Sequence, residues 1–106
     1  MELILKSKKG THYAKGILNS NGTVVVLKGS LISPSITFEN ISKCVLDARN
    51  DRRLVNEKHL LISDIEFKSV STAAQFVTGR SVNGKIAWRI DDKISLKDYY
   101  KQQEGK

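Results

Sequence analysis

Two β-branched runs joined by a polar turn constrain this fold most. Residues 12–18 (HYAKGIL) and 22–28 (GTVVVLK) are rich in Val, Ile and Tyr, and Asn19-Ser20-Asn21-Gly22 lies at their junction. Asn and Gly tolerate the positive φ that tight hairpins require, so the pattern predicts an antiparallel β-hairpin. Residues 2–6 (ELILK) add a short apolar strand before it. Gly29-Ser30 breaks the second run, and residues 31–37, which hold the only proline, Pro34, read as a connection.

Beyond the hairpin the apolar period changes from two to nearly four. Ile41, Cys44, Val45 and Ala48 form one stripe, so the spacing predicts a central helix over 40–54 with Asn40 as its N-cap. Arg49, Arg52, Arg53 and Lys58 crowd its C-terminal end, where cations complement the helix dipole or form a phosphate-facing edge. Residues 59–67 (HLLISDIEF) return to a β pattern. Over 69–79 the signal is cleaner. Ser69 can cap, Val70, Ala73, Ala74 and Val77 share a face, and Gly79 can close the helix in the left-handed conformation. Residues 86–90 (IAWRI) read as a strand and Asp91-Asp92-Lys93 as a turn. Ser95 caps a final short helix, LKDYYKQ. The expected architecture is a single α+β domain over 1–101, with 102–106 as a frayed tail. It runs as an N-terminal hairpin or meander, a central helix, then strand–helix–strand and a C-terminal helix.

Composition narrows the class. The chain has 106 residues, 40% hydrophobic and 27% charged, which suits one globular core and argues against wholesale disorder. One cysteine excludes an internal disulfide and a Cys-rich zinc site. Cys44, in an apolar stripe, reads as a small buried hydrophobe. No apolar run approaches the roughly 20 residues of a membrane helix. The first residues, MELILKSKKG, place their basic residues after a very short apolar stretch, the reverse of a secretion signal. The expectation is a soluble, cytoplasmic domain.

The net charge of +7 is unevenly spread. Residues 1–30 hold five Lys against one Glu, and Arg80, Lys85 and Arg89 form a second basic region. Such a balance favours polyanions, because contact with phosphate releases condensed counterions. It also serves plain solubility.

Catalytic chemistry is not announced. His12 and His59 have no partner at metal-ligand spacing and read as surface or satisfied histidines, so no metal or other cofactor is expected. Asp64 and Glu66 share a strand face but no second cluster supports a nuclease site. Neither G-x-x-x-x-G-K nor G-x-G-x-x-G occurs. The chain is expected not to be an enzyme.

The segment from Phe67 to Trp88, FKSVSTAAQFVTGRSVNGKIAW, carries the strongest motif: an aromatic, S-x-S-x-A-A, G-R-S-x-N-G, then Trp. It resembles the small domain of unknown function that follows GIY-YIG nuclease domains in bacterial proteins. It is also similar to the RAMA domain found beside restriction endonucleases and DNA adenine methylases. Ala14-Lys15-Gly16 and Val24 through Ser30 (VVVLKGS) extend the likeness upstream, so it covers about half the chain. Val70 stands where family members usually have proline, and proline is only a bonus in a first helical turn. Tyr13 stands alone and no catalytic Arg–Glu set follows it, so nuclease activity is not carried over.

What the resemblance implies is an association with DNA restriction, modification or repair. The residues themselves supply phosphate chemistry in one turn: Arg80 and Lys85 as cations, Ser81 and Asn83 as hydrogen-bonding side chains, and Gly84 as an open backbone N–H. Trp88, where exposed, stacks on an unpaired base, and Lys28 and Ser30 border the same surface. The expected function is a non-catalytic DNA-binding accessory module. The alternative is a protein-interaction module that docks onto a nuclease or methylase or onto a copy of itself; exposed Phe76, Tyr99 or Tyr100 would mark that surface.

Overall fold

The protein is described here by a computed structural model over residues 1–37 and 39–104. Strands β1 (Glu2–Lys6), β2 (Tyr13–Leu18), β3 (Val24–Val26) and β4 (Ile65–Phe67) form an antiparallel sheet in the order β1-β2-β3-β4. The helices are α1 (Lys43–Arg49), α2 (Val70–Thr78), α3 (Gly84–Ala87) and α4 (Leu96–Glu104). The α+β class and the expected order of hairpin, central helix and α2 hold. The tail expected over 102–106 falls partly in the last turn of α4 and partly at 105–106, outside the described residues.

The hairpin forms as its sequence dictates. Gly16 pairs with Val26, Ile17 with Val25 and Leu18 with Val24, and the Asn19 N–H donates to the Thr23 carbonyl at 2.9 Å. Alternation puts Leu3 and Leu5 of β1, Ala14 of β2, Val24 and Val26 of β3 and Phe67 of β4 inside the protein. Helix α2 packs on the sheet through Ala73, Ala74, Phe76 and Val77, all fully buried. Its small alanines permit close approach, and the Phe67 and Phe76 ring centroids lie 4.9 Å apart. The Ser69 hydroxyl accepts from the Thr72 N–H, and Gly79 closes the helix at φ 74°.

Four local expectations change. The central helix is shorter than 40–54. Asn40 has φ 58°, incompatible with an N-cap, and Ser42 holds that position. Its far end stops at Asn50 because the Asp51 carboxylate accepts from the Arg53 N–H and turns the chain. Cys44 is exposed, because the inward face of this short helix is carried by Val45. The β pattern over 59–67 yields only β4 as a strand, preceded by isolated bridges from Leu60 to Leu31 and from Leu61 to Val55. The strand expected over 86–90 is replaced by the end of α3 and by single bridges at Arg89. There the Arg89 N–H and carbonyl exchange hydrogen bonds with Ile4, each 2.8 Å.

Arg49 binds α1 to the rest of the fold. Its guanidinium donates to the carbonyls of Ser33, Ser35 and Phe76, the last at 2.7 Å. The helix end it complements is that of α2, not the end of its own helix.

Candidate functional site

The G-R-S-x-N-G motif is the corner between α2 and α3, and its glycines serve packing. A Cβ on Gly79 would stand 2.1 Å from the Ser35 carbonyl oxygen. A Cβ on Gly84 would stand 2.4 Å from the backbone of Val70 and Ser71. The Gly84 N–H donates to Ser71 Oγ and is buried, which removes it from the phosphate-binding set. Asn83 is exposed but its side chain caps α3 by accepting from the Lys85 N–H at 3.0 Å.

Two further expected site residues lie inside. Trp88 has no exposed surface; its indole N–H donates to the Val70 carbonyl and its ring lies over Gly16. It cannot stack on a base in this fold. Ser30 is also buried, exchanging hydrogen bonds with the Lys15 backbone. Lys28 is exposed beyond β3, where its backbone N–H donates to Asp64. Lys85 reaches over the Tyr100 ring, 5.5 Å from its centroid. Ser81 is exposed in the corner.

Arg80 alone of the expected set lines a groove of about 600 Å³. One wall is the end of β1 and the turn after it, with Lys6, Lys8 and Lys9. That turn is held by Ser7, whose hydroxyl accepts from the Thr11 N–H at 2.7 Å. The facing wall is Arg80, the α3 residues Ile86 and Ala87, and Arg89. The segment 33–37 closes one side, tied down by the Ser33 N–H to Val77 and the Thr37 N–H to Gly79, each 2.8 Å. The bridge between Ile4 and Arg89 brings the two walls together.

The groove is electropositive. No carboxylate is among its lining residues within the described part of the chain. Lys6 pairs with Asp92, whose carboxyl it holds below the usual range, first by a hydrogen bond and then by its charge. Among the described residues Lys8, Lys9, Arg80 and Arg89 have no carboxylate within ion-pair distance. His12 also lines the groove, with Nδ1 at 3.2 Å from Thr11 Oγ1. Burial, then the charges of Arg80 and Arg49, hold its imidazole below the ordinary histidine range, so it is neutral at pH 7.

The lysines of the β1 turn were missed as site residues, although their charge was counted. The signal was the cluster Lys6-Ser7-Lys8-Lys9-Gly10. Asp64 and Glu66 do structural work in the hairpin. Asp64 accepts from the Lys28 N–H, and Glu66 accepts from Thr23 and Asn19 side chains. Among the described residues no three His, Cys, Asp or Glu side chains gather to hold a metal ion, and no helix is long and apolar enough to cross a membrane.

Fold and groove together define a small α+β domain with a cationic recess. A family model, the domain of unknown function DUF4357, matches residues 3–100, and the chain belongs to that family. Comparison with curated proteins and with solved structures finds no match.

Proposed function

We propose that this domain is a non-catalytic DNA-binding accessory module, held mainly by phosphate contacts. The observation that carries the reading is the groove. Lys6, Lys8 and Lys9 from one end of the chain meet Arg80 and Arg89 from the other, with no acidic residue in the lining within the described part of the chain. Four of these cations lack a carboxylate partner among the described residues, so their charge is available to a polyanion. The likeness of the 67–88 motif to domains beside GIY-YIG nucleases, restriction enzymes and adenine methylases supports a setting in cytoplasmic DNA restriction, modification or repair, with such an enzyme as partner. The docking alternative gains less support: Phe76 is fully buried, Tyr99 packs against the core, and of these three only Tyr100 is exposed.

A fluorescence titration against duplex and single-stranded DNA over a salt series tests the reading. Each phosphate contact adds about 0.9 to the salt slope on duplex and about 0.7 on single strands. Arg80→Ala, Lys8→Ala and Lys9→Ala are each expected to remove about one such contact. Lys28→Ala and Lys85→Ala, outside the groove, are expected to leave the slope unchanged. Absence of binding to either form at low salt overturns the proposal.

A further inference from the structure

The groove is lined by apolar as well as cationic side chains, and that combination selects among forms of DNA. Leu5, Ile36 and Val82, with Ile86 and Ala87 of the α3 wall, contribute apolar surface among the cations. Ile86 lines the groove and is 50% exposed, so its side chain is open to a ligand there. A volume of about 600 Å³ lies within the range of roughly 300–1,000 Å³ that accommodates a drug-sized molecule.

Duplex DNA does not match this shape. Its major groove, about 12 Å wide, receives a protruding helix or ribbon, and its base faces are hidden in the stack. A duplex backbone offers phosphates to the cations but no flat apolar face to the aliphatic side chains between them. An unpaired nucleotide offers both at once: a flat apolar base face and a phosphate on each side of it. We infer, on the DNA-binding reading above, that the groove takes a nucleobase of single-stranded or extruded DNA against Ile36, Val82 and Ile86, while the flanking phosphates lie on Lys8, Lys9, Arg80 and Arg89.

Ser35, exposed and lining the same recess, offers a hydroxyl to the edge of such a base. Among the described residues the groove's apolar lining is aliphatic, and aliphatic contact reads the identity of a base weakly.

Fluorescence anisotropy with three labelled probes tests this: a short oligothymidylate, a matched mixed-sequence duplex, and an oligomer of equal length made of abasic deoxyribose phosphates. The expected result is oligothymidylate binding roughly tenfold tighter than the abasic oligomer and tighter than the duplex. Ile86→Glu, at an exposed position, is expected to abolish that advantage while the circular dichroism spectrum stays native. Equal binding of all three probes overturns the base-in-groove inference and leaves the DNA-binding reading standing. Binding of none overturns both. The abasic comparison uses the unaltered protein, so it decides the matter even where Ile86→Glu fails to fold.

Discussion

The Trp88 indole N–H donates to the Val70 carbonyl oxygen at 3.1 Å, joining the end of α3 to the start of α2. The bond fixes the ring above the sheet, and truncation to alanine leaves a cavity there. Trp88→Ala is expected to destabilise the fold by about 3–5 kcal/mol, measured by urea unfolding. Because this is the only tryptophan, its emission is expected to be that of a buried indole and to change little when DNA is added. Strong quenching by a base would contradict the assignment.

Gly79 and Gly84 are expected to resist substitution for different reasons. Gly79 combines φ 74° with a backbone carbonyl where its Cβ would stand. Gly79→Ala therefore costs more than the roughly 1–2 kcal/mol of a left-handed side chain alone. Gly84 has an ordinary φ but abuts the first turn of α2. Gly84→Ala is expected to pry α3 away and lower the thermal midpoint. Wild-type stability in either variant would refute this account of the corner.

Arg49 serves three carbonyls from one planar group. A lysine carries the charge but not the fork. Arg49→Ala is expected to lose about 1.5–3 kcal/mol, and Arg49→Lys to recover only part of it, in the same unfolding assay. Full recovery with lysine would show that charge alone holds α1 against α2.

His12 makes stability fall on the acid side. Its folded pKa lies below 6.5, so the unfolded chain takes up a proton first. Stability is therefore complete above about pH 6.5, declines as pH falls below it, and levels off once the folded imidazole also titrates. His12→Gln is expected to flatten that limb of the urea midpoint against pH. An unchanged limb in the variant would assign the loss to other groups.

Much of this fold is legible because its signals are local. The Asn-Gly turn, the Ser69 and Ser95 caps and the Gly79 stop each act within a few residues, and each appears in the structure. Trp88 misleads because IAWRI alternates like a strand, while Asn83 capping α3 and Gly84 docking on α2 convert the segment into a helical corner. Cys44 misleads because it shares the apolar spacing of Ile41, Val45 and Ala48, while α1 turns Val45 inward and leaves Cys44 at the surface. The groove was only half legible. Arg80 sits in a recognisable motif, but its partners Lys8 and Lys9 come from the opposite end of the chain, and no local pattern reports a tertiary meeting.

The pairing of Ile4 with Arg89 means that neither wall of the recess exists without the other. A proteolytic fragment from either half carries positive charge yet no receptor. On the DNA-binding proposal, affinity is thus expected to be an all-or-nothing property of the intact fold, and a ligand seated between the walls would act as a clasp, raising the melting temperature in proportion to the logarithm of its concentration.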